Sequence, residues 1–289
     1  MSKATPIAKR YLEQIHRELT EPVDTISVID QGWTNLVFEV NGRWMFRFVR
    51  DKWNTQIAVE RAFLPQFAPV SPVRVPEIFA QGEDYFAYPK IVGERFSAEN
   101  FAYLTSTEQS TVLRQLGRFL TTLHNFEFSH PNLSDAPYGG RDFWHDVWPI
   151  VAPLLSVEVR QSAQTYFTKT LGILSSLHTP QTIIHADLGP NNTRLDLARR
   201  CLGGIIDFGD LSLGDPAADF ASCYHNHGRD FVMRLLEFYE RPIGEAFWLR
   251  VEYAARHKLF FAIYYAQLHD KQTIIPHLVP MVESLFDLS

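Results

Sequence analysis

A chain of 289 residues, 46% hydrophobic and 21% charged, has the composition of a soluble globular protein and can bury a core in one large domain or two lobes. Its net charge of -6, with no basic stripe, argues against nucleic acid as a partner and suits a cationic small molecule. The apolar runs at 148–155 and 259–268 are too short to span a bilayer, and the polar start MSKATPIAKRYLEQIHREL has no apolar signal core. The chain therefore reads as cytoplasmic, with no membrane partner. Its two cysteines, Cys201 and Cys223, belong to no CxxC pair and read as buried or partly buried thiols.

Residues 6–19 place Ile7, Tyr11, Ile15 and Leu19 on one face after Pro6, which predicts an amphipathic packing helix. Residues 26–50 predict antiparallel strands. Ile26–Ile29 enters the turn Asp30-Gln31-Gly32-Trp33-Thr34-Asn35, Leu36–Val40 leaves it, and the hairpin signal Asn41-Gly42 leads into a third strand, Arg43–Arg50. Residues 55–67 predict a helix anchored by Ile57, Phe63, Leu64 and Phe67 and carrying Glu60. The extended, proline-rich stretch Pro69–Pro76 precedes two further strands, 78–80 and 85–88.

After Gly93 the apolar period changes from two to 3.6. Thr105-Ser106-Thr107-Glu108 is a capping box that opens a helix with Leu113, Leu116, Leu120 and Leu123 on one face; His124 at its end reads as packing. Residues 126–145 are loop-like. Helical segments follow at about 142–154 and 157–177, and residues after 217 read as helix to the C-terminus. Within that last region, His225 and His227 are two apart on a helix, a spacing that does not suit a metal pair.

The stretch with most chemistry is Ile183–Phe220. Ile183-Ile184 runs into His185-Ala186-Asp187, with Asn192 five residues beyond, and Ile205-Ile206 runs into Asp207-Phe208-Gly209. A β-branched pair ending in a carboxylate marks a buried strand end that holds an acid at a cleft. Asp187, Asn192 and Asp207 together give oxygen ligands on two neighbouring loops, which is what a hard cation carrying a nucleotide phosphate needs.

The ordered set HADLGPNN, IIDFGD and GDPAADFA resembles the catalytic and metal-binding segments of the aminoglycoside phosphotransferase family, and its wording is most similar to the 2''-phosphotransferase branch. The resemblance implies an α+β, bilobal, protein-kinase-like fold. An N-terminal antiparallel sheet lobe, residues 1–91, would bind nucleotide, and a larger, mainly helical lobe, residues 92–289, would hold the catalytic and substrate-binding residues. It implies transfer of the γ-phosphate of GTP or ATP, with Mg²⁺, to a substrate hydroxyl. Asp187 would accept or orient the hydroxyl proton, Asn192 and Asp207 would hold the metal, and His185 would support the loop.

Carried back along the chain, the family's phosphate-gripping strand lysine falls on Arg47, a departure that keeps the charge with a longer, planar fork. Glu60 would orient Arg47, and Lys52 is a second candidate for the cation. Thr34 and Asn35 would lie over the phosphates, although a plain hairpin explains them equally. Tyr88 would back the base pocket, where a tyrosine goes with a preference for GTP. The Pro89 carbonyl and the Ile91 amide would meet the purine edge. Glu237, Glu240 and Trp248 are candidate substrate residues, with a solvated helix face as the alternative. Asp215 and Asp219 would fix the loop and helix start beyond the metal strand. A monomer acting on a small, cationic, hydroxylated substrate is expected. Two other readings stay open: a kinase of another hydroxyl compound (a macrolide, choline, homoserine or a sugar), and a catalytically silent nucleotide-binding protein.

Overall fold

A computed structural model describes residues 9–29, 35–49, 55–135, 143–269 and 271–286. The period-two segment from residue 26 to residue 89 forms one five-stranded antiparallel sheet in the order β1-β2-β3-β5-β4. Its strands are β1 Ile26–Ile29, β2 Asn35–Val40, β3 Trp44–Val49, β4 Ala80–Gln81 and β5 Tyr85–Pro89. Asn41 and Gly42 both adopt positive φ, 51° and 65°, as the tight β2–β3 turn requires. The strand predicted at 78–80 is paired only over Ala80–Gln81, although Phe79 N already donates to Ala87 O at 3.0 Å.

Alternation along β3 decides what each sheet face does. Phe46 and Phe48 join Phe38, Tyr85 and Ile15 of helix α1 (Lys9–Glu18) in an aromatic layer on one side. Met45 and Arg47 point to the other side, towards helix α2 (Gln56–Phe67). That side belongs to the main core. Phe63 and Phe67 of α2 meet Phe208 at ring-centroid distances of 5.6 and 6.3 Å, and both also touch Phe126. Burying each of these rings contributes about 1.5–3 kcal/mol, so α2 is fixed against the segment that carries Asp207.

The remainder is mainly helical: α3 (Ala98–Ala102), α4 (Ser106–Asn125), the short α5 (Trp148–Val151), α6 (Val157–Leu174), α7 (Ala217–Leu236), α8 (Phe247–Leu268) and α9 (Ile275–Ser284). The capping box opens α4 as the sequence requires, with reciprocal Thr105 and Glu108 bonds. The helix predicted at 142–154 is broken into a π-helical turn, α5 and a 3-10 turn. Pro149 and Pro153 each remove an amide donor there. The helix expected from 217 to the end is also interrupted. Gly228 (φ 81°) kinks α7, and a loop holding Pro242 and Gly244 (φ 73°) separates α7 from α8.

The two apolar entries of the 183–220 stretch do not lie on paired strands. β7 (Thr182–Ile184) pairs with β10 (Ser212–Gly214), while β9 (Cys201–Ile205) pairs with β8 (Thr193–Asp196), which also meets β6 (Glu94–Arg95). Three-residue strands carry too little pattern to be read as separate elements. The ends of β7 and β9 are nevertheless tied together by His185 Nε2, which bonds Ile206 O at 3.1 Å, and Ile206 N donates to Asn192 O, just before β8, at 2.8 Å.

A second core joins α5, α6, α8 and α9 around Phe143, Phe167 and Phe260, with His257 fully buried beside Phe143 and Phe261. No helix among the described residues is long and apolar enough to cross a membrane. Burial pushes His257 down from 6.5 to about 3 and His227 to about 4. The unfolded chain therefore takes up protons on these histidines below pH 6.5 that the native state refuses, and their contribution to stability falls as pH drops from 6.5 towards 4. Each histidine contributes a slope of at most about 1.4 kcal/mol per pH unit. Urea unfolding of the wild type and of His257→Phe, which keeps a ring in the cluster, is expected to show the variant losing less stability than the wild type between pH 7 and pH 5, while the raised carboxyls of Glu60 and Asp210 act in the opposite direction in both proteins.

Candidate active site

Arg47 sits where alternation along β3 and the position of α2 require an inward side chain. Buried beneath the sheet, it spans two carboxylates: Nη2 lies 3.1 Å from Glu60 Oε1 of α2, and Nη1 donates to Asp207 Oδ1 at 2.7 Å. Burial pushes the Asp207 carboxyl up, but the Arg47 charge and hydrogen bond outweigh it and hold the group below the usual carboxylate range. Burial pushes Glu60 up to about 8 against the pull of Arg47. Gly209 makes room for this triad, since a Cβ at that position would lie 2.5 Å from Arg47 Nη2 and 3.1 Å from Asp207 Oδ1.

The Asp187 loop is built on Asp219, at the start of α7. Its carboxylate accepts from the backbone N–H of His185 (3.0 Å) and of Ala186 (2.8 Å), and meets His124 Nε2 at 3.1 Å. Burial works against this anion, and the His124 and backbone hydrogen bonds override it and depress its pKa. His185, also buried, accepts the Asp187 N–H on Nδ1 at 3.2 Å, so Nε2 is the nitrogen that donates to Ile206 O. His124, read from the sequence as packing, thus helps to hold the loop, and Tyr239 OH meets its other nitrogen at 2.8 Å.

These frames bring Asp187, Asn192 and Asp207 to one floor. Asn192 Nδ2 donates to Asp187 Oδ2 at 2.6 Å and to Asp187 O at 2.9 Å, which leaves the amide oxygen for another partner. Asp207 takes φ 63° and keeps 44% of its side chain exposed, so one carboxylate oxygen is held by Arg47 while solvent reaches the group. Beside it, a cleft of about 350 Å³ is lined by Ile29, Met45, Tyr88, Ile91 and Ile206. Burial pushes the Tyr88 phenol above its usual range. Pro89, at the end of β5, lies outside that lining and pairs in register with Trp44. Asn35 is buried at the head of β2, whereas Thr34 and Lys52 lie outside the described residues.

The three candidate substrate residues lie at the end of α7, in the loop after it and at the start of α8. Glu237 is exposed at the C-terminal end of α7. Glu240 N bonds Thr121 Oγ1 of α4 at 3.0 Å. Trp248, in the first turn of α8, lies under the Arg229 guanidinium at 4.1 Å. The end of α7 and the loop after it, invisible to a helical periodicity, set the backbone of Glu240 against α4. Asp215 accepts from the amide of Ala217 at 2.9 Å and pairs with Arg250 of α8.

Two further residues belong to the floor and escaped sequence reasoning. Lys258 of α8 places Nζ 2.5 Å from Asp187 Oδ1. Asp210 is solvent-exposed, and partial desolvation with the charges of Asp187 and Asp207 pushes its carboxyl up. Asp210 was legible as the last letter of IIDFGD. Lys258 was not, because it arrives from 71 residues away on a helix rich in apolar residues.

The triad is expected to behave as a buried, mutually dependent unit. Arg47→Met removes the cation shared by Asp207 and Glu60, leaving buried polar groups without their partner, and is expected to lower stability by about 3 kcal/mol; adding Glu60→Met should restore much of that loss. Chemical unfolding of the two variants measures both effects, and a double variant no more stable than Arg47→Met would show that the pair is not coupled.

Comparison with known proteins agrees with this geometry. Residues 25–254 match the model of the phosphotransferase enzyme family. Viomycin phosphotransferase of Streptomyces vinaceus is 29% identical over 178 residues, a match spanning 57% of this chain and 59% of that protein. The fold is shared with the GDP and kanamycin complex of an APH(2") enzyme (TM-score 0.84, 21% identity, 96% of this chain and 98% of that one). It is also shared with the macrolide 2'-phosphotransferase type I (TM-score 0.74, 16% identity, 98% and 99%). A family match that spans most of the chain, from β1 into α8, establishes that this protein belongs to the phosphotransferase enzyme family.

Proposed function

We propose that the protein is a Mg²⁺-dependent small-molecule kinase that transfers the γ-phosphate of GTP or ATP to a hydroxyl group, with an aminoglycoside as the acceptor. The observation that carries this reading is the convergence of Asp187, Asn192 and Asp207 beneath the Arg47–Glu60 pair, next to the cleft lined by Tyr88 and Ile91. In phosphoryl transfer the protein's tasks are positioning and charge neutralisation, and these side chains are suited to both. The cleft would lie between the lobe ending at residue 91 and the lobe beginning at residue 92.

The donor set fits a hard cation. Asp207 is held anionic with solvent access, and the Asn192 amide is oriented by Asp187 so that its oxygen is the available end. Mg²⁺ held by Asn192 and Asp207 would supply charge neutralisation at the phosphate oxygens. Arg47 would offer its fork to the inner phosphates while Glu60 fixes its direction. Asp187 would accept the proton of the acceptor hydroxyl as that oxygen forms its bond to phosphorus and the nucleoside diphosphate leaves. The aminoglycoside assignment draws support from the kanamycin and streptomycin complexes named for the structural neighbours, and the nucleotide from GDP and ATP in the same complexes. Viomycin phosphotransferase and the macrolide enzyme favour a second reading, in which the acceptor is a different hydroxylated antibiotic.

The test is turnover of GTP and ATP with Mg²⁺ against aminoglycosides, macrolides, viomycin and small alcohols, with phosphorylated product read by mass spectrometry. One acceptor class is expected to give product. Asp187→Asn is expected to lower that rate by about 10²–10⁴-fold while nucleotide binding is retained. Absence of product from every acceptor with folded protein would sink the kinase reading, and undiminished turnover by Asp187→Asn would remove that residue from its role.

A further inference from the structure

Lys258 keeps 38% of its side chain exposed, and its ammonium is turned onto the Asp187 loop. Its ammonium has three N–H donors, and three acceptors surround it: Asp187 Oδ1 at 2.5 Å, Ala186 O at 3.1 Å and Ser222 Oγ at 3.3 Å. These come from the Asp187 loop and from α7, while Lys258 itself stands on α8. With every donor engaged, the group is a fixed tether between two helices and the loop. A cation meant to swing onto a phosphate would have donors to spare.

The tether completes the hold on Asp187. Asn192 Nδ2 takes Oδ2 and Lys258 takes Oδ1, so the carboxylate plane is set from both ends. The preceding peptide is pinned in the same way. Ala186 adopts φ 63°, its N–H is held by Asp219 Oδ1 at 2.8 Å, and its carbonyl is held by Lys258. Asp207 and Asp210 add negative charge to the same floor, against which a freely rotating Asp187 carboxylate would turn away.

We propose that Lys258 is a positioning residue for phosphoryl transfer: from α8 it holds Asp187 in the one orientation that faces the acceptor hydroxyl. This rests on the kinase reading above for its catalytic consequence, though the tether itself does not. Acting through Asp187, Lys258 sets the rate of the chemical step and leaves nucleotide affinity alone.

Two measurements decide the matter. In the first, transfer kinetics are recorded for Lys258→Met and for Lys258→Cys before and after alkylation with 2-bromoethylamine, which rebuilds an ammonium of lysine length. Wild type treated with the same reagent controls for Cys201 and Cys223. The kcat of Lys258→Met is expected to fall about 10²-fold with the nucleotide KM unchanged, and aminoethylation of Lys258→Cys is expected to recover most of the rate. A kcat within about twofold of wild type, or no recovery on aminoethylation, overturns the proposal. The second is a thermal-unfolding cycle of Lys258→Met, Asp187→Asn and the double variant. It is expected to be non-additive by about 2–4 °C, and additive shifts overturn the tether. Should wild type transfer phosphate to nothing, the kinase reading fails, and the cycle still decides whether Lys258 holds Asp187.

Discussion

One guanidinium holds the candidate active site in shape. Arg47 reaches from β3 to Glu60 on the next element, α2, and to Asp207 beyond β9, 160 residues away, and thereby ties the sheet to the loop that carries Asp207. A buried ion pair is a poor source of net stability, because desolvating the charges consumes most of what their attraction returns. Its contribution is direction. The fork geometry of arginine suits two carboxylates at once, which a single ammonium on a flexible stem does less well. Gly209 belongs to the same device, since any side chain there would enter the space of the guanidinium.

The floor beneath the triad shows the same logic in the backbone. Ala186 and Asp207 both sit at φ 63°, in the left-handed region that costs a non-glycine residue of order 1–3 kcal/mol. Neighbouring structure holds both. Asp219 binds two consecutive amides of the Asp187 loop, and Gly209 N lies 3.3 Å from Asp207 Oδ1. Phe208, wedged between α2 and His185, carries the hydrophobic part of that restraint, with its ring 4.7 Å from the imidazole. Strain stored at two loop residues is thus offset by a buried aromatic layer and by one carboxylate that accepts three hydrogen bonds.

Much of the architecture was legible because its signals are local. The alternation of β1 to β3, the Asn41-Gly42 turn and the Thr105 capping box each specify their element within a few residues. The pairing of Arg47 with Glu60 came from resemblance, and the structure brings those two side chains together. Other features lie beyond local pattern. The three-residue strands β7 and β10 are too short to show a period, so the sequence did not show that the two acid-bearing entries, whose loops meet, come from separate sheets. Lys258 lies on a helix that reads as core, and its meaning appears only when α8 is laid across the Asp187 loop. Glu237 and Glu240 read as lying on an unbroken helix, whereas α7 ends at Leu236 and the backbone of Glu240 bonds Thr121 of α4.

The central claim is that the triad and the Asp187 floor form a cleft for a nucleotide and its metal. Isothermal titration calorimetry of GTP and ATP into the protein, with and without Mg²⁺, tests it without needing to know the acceptor. The account predicts saturable binding of at least one nucleotide that strengthens with Mg²⁺, and loss of that metal-dependent gain in Asp207→Ala. Absence of nucleotide binding by folded protein, or a Mg²⁺ effect that survives Asp207→Ala, would contradict it.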